Sequence, residues 1–477
     1  MAVAHHHERE VTFDVPAGWT MPELGDAVPD GGRVERATHE LVAVYYDTAP
    51  ALLRPLGITL RRRAGGPDAG WHLKLPAGDG RTEVHSHAAA RSVPAALARR
   101  LSGVTAGRPV SEVATIATTR HTVRLLDAAG ALLVEVADDE VRGHRVGADA
   151  AERVVWREVE VEGGAAGGER DLAAVGSLVE AAGAARSAQQ RKINHVLGEP
   201  LAPSPVGKPG LVVDYLREQC RAVLLGDATM RDDPTAAAVH HTRVAVRRLR
   251  TTVRVFAHTL TVPEAELDRI DAELRGLAGL LSPVRDADVI GIRLDRELGA
   301  LPACDVVGPV RREIHRALAR DRAAALATWR EERESERYRR LMTRLGGWFL
   351  GSPVRTDERV RPRVVLARAD RAVRRRLREA DDDAGLHRAR KAVKRLRYAA
   401  EALAPGVGGA RKAATQARRR QSGWGEHQDL VVAAAFLRRL AGTGRAPQVR
   451  SGFTYGVLVA RLDRRAERLR RQATLSR

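Results

Sequence analysis

Between residues 8 and 162 polar and apolar side chains alternate in short runs, the period of a β-strand with one face in a core. Such runs cover 8–15, 42–47, 58–63, 71–75, 82–85, 118–125, 132–137 and 154–162, with turns containing glycine and proline between them. Residues 91–101 and 171–182 carry a helical pattern instead. The arrangement predicts a many-stranded antiparallel barrel or sandwich with small helices. From residue 211 the apolar period lengthens to that of amphipathic helices rich in Ala, Leu, Arg and Glu. Helices are predicted near 211–228, 235–259, 264–281, 284–299, 305–334, 336–350, 359–379, 384–403, 411–423, 426–441 and 448–473. The breaks are predicted at Pro234, Pro263, Pro283, Pro302, Pro353, Pro405 and Pro447. Residues 198–210, rich in proline and glycine, suit neither element and predict a linker.

The helical half repeats itself. Residues 239–250 contain His240-x-x-Arg243-x-x-x-Arg247-Arg248-Leu249-Arg250, and residues 386–397 contain His387-x-x-Arg390-x-x-x-Lys394-Arg395-Leu396-Arg397, 147 positions later. At about 100° per residue, Val246, Leu249, Val253 and Phe256 form one stripe, and His240, Arg243, Arg247 and Arg250 form another about 120° away. The second copy pairs an apolar seam of Val393, Leu396, Ala400 and Leu403 with His387, Arg390, Lys394 and Arg397. Like charges spaced three or four apart destabilise an isolated helix by tenths of a kcal/mol each, so a doubled cationic row predicts a polyanionic partner. A second echo, Asp286 in Leu281–288 and Asp429 in 424–431, lies 143 positions apart, and each Asp is expected to cap a helix N-terminus. Two copies of a helical bundle related by pseudo-symmetry are expected to face their cationic rows into one channel.

Charge sharpens the division. Residues 1–200 carry 23 Lys and Arg against 27 Asp and Glu, a net of −4, whereas the rest carries 57 against 33, a net of +24. All the excess positive charge therefore belongs to the helical part. Two cysteines, Cys220 and Cys304, exclude a disulfide framework and suit a reducing cytosol. No apolar run approaches the ~20 residues of a membrane span, and an acid close to the N-terminus argues against a secretory signal.

In the strand half, charged residues are the ones that alternate. Glu8 and Glu10 share a face, as do Arg61 with Arg63, His72 with Lys74, Arg81 with Glu83, and Glu158, Glu160 and Glu162. On an open sheet these faces are the wet side. In a closed barrel they line a lumen with carboxylates for hard divalent cations and Arg or Lys for phosphate oxygens. Parity along 132–139 puts Glu135 and Asp139 together and leaves Asp138 on the other face.

These residues carry two resemblances. Glu8-x-Glu10, Tyr45-Tyr46-Asp47-Thr48, Leu56–63 with its Arg61-Arg62-Arg63, Trp71–76 with Lys74, and Arg157–162 together resemble the CYTH domain of the triphosphate tunnel metalloenzymes over roughly residues 1–200. The resemblance implies an eight-stranded antiparallel tunnel that binds a triphosphate and Mg²⁺ or Mn²⁺. Metal ligands would be Glu8, Glu10, Asp139, Glu158, Glu160 and Glu162, with Glu8 and Glu10 in the catalytic motif. Arg61, Arg63, Lys74, Arg81, Arg120 and Lys192 would contact the triphosphate. Inorganic triphosphatases, thiamine triphosphatases and one class of adenylyl cyclase share that fold, and nothing in the chain indicates adenine recognition. Thr12 stands where the family motif Glu-x-Glu-x-Lys has its lysine.

The paired His-x-x-Arg motifs resemble the CHAD domain over roughly 211–477, an α-helical domain that binds inorganic polyphosphate. That implies phosphate contacts from His240, Arg243, Arg247, Arg250, His387, Arg390, Lys394 and Arg397. The expectation is an α+β multidomain chain, with an N-terminal antiparallel β-tunnel/barrel at 1–197, a linker at 198–210 and a C-terminal all-α duplicated helical bundle at 211–477. Its expected role is a cytoplasmic polyphosphate-binding hydrolase, associated with polyphosphate granules, that cleaves triphosphate or short polyphosphate with Mg²⁺ or Mn²⁺. One alternative is a non-enzymatic polyphosphate scaffold whose tunnel is degenerate at Thr12. Nucleic-acid binding is a further alternative with little support, since aromatics make up only 4% of residues and none stands within a cationic row to stack on bases.

Overall fold

The structure is a computed structural model. It describes all residues except 1–3, 17, 78–79, 89, 148–151, 190, 201–209, 233, 352, 354–360, 381–382, 443–445 and 476–477; the side chains of 4–8, 383–384, 386–387, 422–424, 446–450 and 472–475 are likewise outside the described set. The chain divides into two units, Met1–Ser204 and Pro205–Arg477. Most of the predicted linker thus lies outside the described residues.

The first unit is one antiparallel sheet. Its strands are β1 (Ala4–Glu8), β2 (Glu10–Asp14), β3 (Arg33–Thr48), β4 (Thr59–Ala64), β5 (Gly70–Ala77), β6 (Gly80–Ser86), β7 (Val110–Leu126), β8 (Leu132–Arg145), β9 (Val154–Gly163) and β10 (Ala185–Arg186). The hydrogen-bonded order is β1-β6-β5-β4-β3-β7-β8-β9-β2-β10. The single strand expected at 8–15 is divided at Arg9. Its first part pairs with β6 and its second with β9, so consecutive residues join the two ends of the sheet and close a tunnel. The alternation continues through the break, which is why the sequence hides it.

Phe13, Val159 and Val161 face outward under the helix α3 (Glu169–Ala181), whose Val175 and Val179 complete an external core. Three further helices lie between or after the strands: α1 (Leu53–Leu56), α2 (Ala95–Thr105) and α4 (Lys192–Leu197). Asp47, fully buried, organises the chain around α1. Its Oδ1 accepts from the backbone N–H of Thr48, Leu52 and Leu53 at 2.7, 3.0 and 2.8 Å, and its Oδ2 from Arg54 at 3.1 Å. Its part in the Tyr-Tyr-Asp-Thr motif is structural.

The second unit is helical: α5 (Leu211–Met230), α6 (Ala236–Val255), α7 (Glu264–Gly299), α8 (Val310–Glu332), α9 (Glu336–Leu350), α10 (Pro362–Arg378), α11 (Asp383–Leu403), α12 (Ala410–Ala441) and α13 (Ala446–Leu475). Helices α6 and α11 carry the repeated motif and pack on each other, as do α7 and α12. Like therefore meets like, as an internal two-fold requires. Leu294, Ile314, Leu430, Phe436, Leu437, Leu458 and Leu462 form one buried cluster between the corresponding ends of α7, α8, α12 and α13.

Two expectations are corrected here. Residues 264–281 and 284–299 are one helix, and so are 411–423 and 426–441. Pro283 lies inside α7 with its ring exposed, while Leu281 and Val284 on either side of it are fully buried. A proline in a helix interior costs about 3 kcal/mol, and burial of those two side chains returns roughly that much. Asp286 and Asp429 consequently stand in mid-helix and cap nothing.

Candidate functional site

Strand register decides which inward residues meet. Asp139 lies opposite Glu158, and Thr12 and Ala137 lie on either side of Glu160. One step along the tunnel, Glu10 and Glu135 flank Glu162. The carboxylates expected to act as one metal set are therefore in two tiers. Asp139, Glu158 and Glu160 each offer an oxygen within 4.8 Å of the others. Three carboxylate oxygens so close, two of them buried and the third on Glu160 half-buried, fit a hard divalent cation such as Mg²⁺ or Mn²⁺. Glu10 is not among them. Its Oε1 accepts from Arg81 Nη1 at 3.1 Å, beside Glu162. The position of Glu8 is described, opposite Arg81, but its side chain is outside the described residues.

The triad is already paired with two cations. Arg120 donates from Nε and Nη2 to both oxygens of Asp139 at 2.8 and 2.6 Å, and from Nη2 to Glu160 at 2.7 Å. Lys192 Nζ donates to Glu160 at 2.6 Å, pairs with Asp139 at 3.0 Å and makes a short ion pair with Glu158. Burial alone would raise Asp139 and Glu160, yet Lys192 and Arg120 hold both below the usual carboxylate range. For Glu158, which Lys192 and Trp156 reach but the Arg120 fork does not, burial and the neighbouring Glu160 prevail and the pKa rises. Glu162 is pushed up to about 7 by burial and by the neighbouring Glu10, Glu160 and Glu135, against the pull of Lys74.

The opposite wall is cationic. Arg61, Arg63, Lys74 and Arg81 line the same cavity of about 170 Å³ as Arg120 and Lys192, together with Glu83, Glu135, Tyr45 and Thr59. All six cations expected from the sequence thus share one lumen. Asp68 also lines it and pairs closely with Arg63. It had no sequence signal, because it stands in a loop between Gly65 and Gly70 where no strand parity applies. Asp138 faces outward and accepts from Arg157 at 2.9 and 2.7 Å, as parity indicated. Thr12 is buried, and Glu160 across from it takes its counter-charge from Lys192 and Arg120.

In the helical unit the two motif copies form matched rungs. Arg243 Nη1 is 3.5 Å from Asp286 Oδ1, and the equivalent Arg390 feels Asp429. The next rung, Arg247 and Lys394, has no ion pair to a described carboxylate. Arg247 Nε instead donates to the Tyr398 hydroxyl at 2.9 Å. On the rung after that, Arg250 donates to Asp271 at 2.7 Å and Arg397 to Glu401 at 2.7 Å. Burial, then Arg390, Arg247 and Arg243, push Lys394 down to about 7. His240 is largely exposed, and the partial burial of its ring, then Arg285 nearby, lowers its pKa. The side chain of His387 is outside the described residues. A cavity of about 520 Å³ is lined by Arg247, Arg250, Arg254, Arg275, Lys391, Lys394 and Arg395 with Thr251, and by no carboxylate. Among the described residues no helix is long and apolar enough to cross a membrane.

Comparison with known proteins places this geometry. The model of the CHAD domain family matches residues 214–438. An antiparallel tunnel thus precedes a CHAD domain. It is 34% identical over 500 residues to the uncharacterized protein Rv2226 of Mycobacterium tuberculosis (strain ATCC 25618 / H37Rv) and to the uncharacterized protein MT2285 of strain CDC 1551 / Oshkosh, covering 98% of this chain and 95% of each relative. The chain belongs to the family of those two proteins. Among solved structures, PptA from Streptomyces chartreusis is similar at 21% identity and a TM-score of 0.47, covering 56% of this chain and 97% of that one. The CHAD domain from Ricinus communis is similar at 24% and 0.44, covering 57% and 97%. A putative adenylyl cyclase from Hippeastrum, described as having a dominant triphosphatase activity, is similar at 15% and 0.23, covering 41% and 98%.

Proposed function

We propose that the helical domain binds inorganic polyphosphate and that the tunnel hydrolyses triphosphate or short polyphosphate with Mg²⁺ or Mn²⁺. One observation carries the tunnel reading: a closed lumen sets Arg61, Arg63, Lys74 and Arg81 against a carboxylate triad. Guanidinium forks and ammonium groups fit the oxygens of a linear phosphate chain and neutralise charge on the departing phosphoryl group. The triad of Asp139, Glu158 and Glu160 would hold the metal. Bound there, a divalent ion would supply Lewis-acid charge and ease the deprotonation of a water for attack. The strands fix the relative height of cations and carboxylates, so the chain's own work is to hold the phosphate in line and exclude bulk water. In the helical domain, the cationic cavity with no lining carboxylate supports a dense polyanion as ligand, and hence recruitment to polyphosphate granules in the cytoplasm.

Purified full-length chain with Mg²⁺ and tripolyphosphate is expected to release phosphate, and the Glu158→Gln/Glu160→Gln variant is not. Equal release by both removes the enzymatic claim. Thr12, buried where the family motif has a lysine, favours a second reading in which the tunnel binds without turnover. No release by the native chain and activity in Thr12→Lys would establish that reading instead.

A further inference from the structure

We infer that Lys192 is an internal counter-ion that keeps divalent cations off the Asp139–Glu158–Glu160 triad until a phosphate chain enters the lumen, so that metal and phosphate load together. The inference rests on the tunnel being a phosphate site. The geometry is direct. Lys192 Nζ is bonded to all three carboxylates, at 2.6 Å to Glu160 and 3.0 Å to Asp139 and in a closer pair with Glu158. The ammonium therefore fills the position a metal ion would take among the same oxygens, which lie within 4.8 Å of one another.

Charge counting gives the consequence. Three carboxylates against Lys192 and Arg120 leave one net negative charge. That is too little to draw a divalent ion out of its water shell, since such ions dehydrate reluctantly. Adding a doubly charged ion without moving Lys192 would leave one excess positive charge in a buried site. Removing the ammonium without a replacement would leave three carboxylates against Arg120 alone, with Asp139 and Glu158 at 0% and 2% exposure and Glu158 held only by Trp156 Nε1 at 2.7 Å and His195 at 3.6 Å, an unfavourable state. Only an exchange in which Lys192 leaves for another anion while a metal arrives keeps the site near neutrality.

The lumen supplies the destination. Lys192 borders the cavity as well as the triad, alongside Arg61 and Lys74. A triphosphate bound there offers several negative charges to an ammonium on a flexible four-carbon stem. The backbone of α4, by contrast, is fixed. Ile193 is buried among Tyr45, Ile116 and Val141, and a Cβ at Gly143 would come within 2.3 Å of Val196, so the helix sits directly on β8. The side chain moves and the helix stays.

The test is Mn²⁺ titration of the full-length chain, followed by electron paramagnetic resonance, with no phosphate present. Lys192→Met and Lys192→Gln are each expected to bind Mn²⁺ at least roughly tenfold tighter than the native chain, in the usual range of coupling between sites. The gain should vanish when Glu158→Gln is added, which assigns it to the triad. Lys192→Met strands buried charge, so it is also expected to melt earlier and to recover on adding Mn²⁺, while the native melting temperature barely responds. Lys192→Gln, whose amide still donates to the carboxylates, is the variant that stays folded without metal. Equal Mn²⁺ affinity in the native chain and Lys192→Gln overturns the inference, as does a Lys192→Met chain that Mn²⁺ fails to restore. The outcome is separable from the hydrolase reading. A native chain that releases no phosphate removes that reading and leaves the Mn²⁺ result standing.

Discussion

The tunnel and the helical cleft both gather cations, but they treat them in opposite ways. In the tunnel five of the six expected cations have an acid close by: Arg120 on Asp139 and Glu160, Lys192 on the triad, Arg63 on Asp68, Arg81 on Glu10, Lys74 near Glu83, while Arg61 hydrogen-bonds Tyr45. In the cleft, Arg247 and Lys394 meet with no ion pair to a described carboxylate, and of the seven cations lining the cavity beside them only Arg250 and Arg275 pair with one, the shared Asp271. A matched site is stable without ligand and selective, because a ligand must displace internal partners. An unmatched site stores repulsion that a polyanion relieves, so its binding free energy comes from charge that folding left unsatisfied. The difference suits a small chelated substrate on one side and a long polymer on the other.

The largest effect that would break this contrast is on stability. Arg120→Met leaves Asp139, 0% exposed, without its guanidinium fork, and is expected to lower the stability of the tunnel unit by about 3–5 kcal/mol. Urea unfolding of the full-length chain checks it, and a loss under about 1 kcal/mol would mean the tunnel cations are not matched in the sense argued.

The same substitution type in the cleft should have the opposite sign. Lys394→Met removes a cation surrounded by Arg390, Arg247 and Arg243. Polyphosphate affinity is expected to fall roughly tenfold at low salt and the salt slope to shrink by about one. Stability of the helical unit should rise by a few tenths to about 1 kcal/mol, since an unpaired, partly buried charge has gone. Arg247 is the less clean site, because it also donates to the buried Tyr398 hydroxyl. Calorimetry with polyphosphate and thermal unfolding together read both signs, and a destabilised Lys394→Met chain would contradict the picture of stored repulsion.

Much of this contrast was legible in the sequence, and the reasons for the rest are specific. Strand parity identified Arg61, Arg63, Lys74, Glu160 and Glu162 as facing one side, because side-chain direction alternates with a fixed period of two. Parity gives the face and not the height. Which carboxylates meet depends on register between strands far apart in sequence, so parity could not test the single ligand set that the resemblance implies, in which Glu10 joins Asp139 and Glu158 although it lies a tier away. Asp68 comes from a loop without a period. In the helices the repeat located the rungs correctly, whereas Pro283 and Asp286 were read by local rules of breaking and capping. Packing of Leu281 and Val284 outweighed the proline, and Asp286 proved to stand 3.5 Å from Arg243 on the neighbouring helix.

A smaller effect follows from the pH dependence of Lys394. Its pKa in the folded chain, about 7, is below its ordinary value. Between about 7 and the ordinary lysine value the unfolded chain holds more protons, so this group's contribution to stability rises with pH across that window and is lost as pH falls through 7. Bound phosphates reverse the shift and draw a proton onto the ammonium. Polyphosphate affinity is therefore expected to weaken as pH rises above 7, with net proton uptake at pH near 8. Binding enthalpies measured in two buffers of different ionisation heat give the proton count directly. Lys394→Met should lose the larger part of that uptake. Uptake unchanged by the substitution would place the titrating group elsewhere in the row, His240 being one candidate.

The smallest effect separates the two designs without any substitution or ligand. At about 1 M KCl the screening length falls to roughly 3 Å, which weakens repulsion across the cleft more than the tunnel's buried contacts of 2.6 to 3.1 Å. The helical unit is expected to gain about 0.5 kcal/mol from added salt, while the tunnel unit stays within a few tenths. Differential scanning calorimetry of the full-length chain reads the two transitions together, and Arg120→Met, which lowers only the tunnel's, identifies which is which. In Lys394→Met the salt response of the helical transition should shrink, because part of the repulsion being screened is already absent. A salt response equal in both units would show that the cleft's cations are compensated after all, and that its affinity for polyanions has another origin than unrelieved charge.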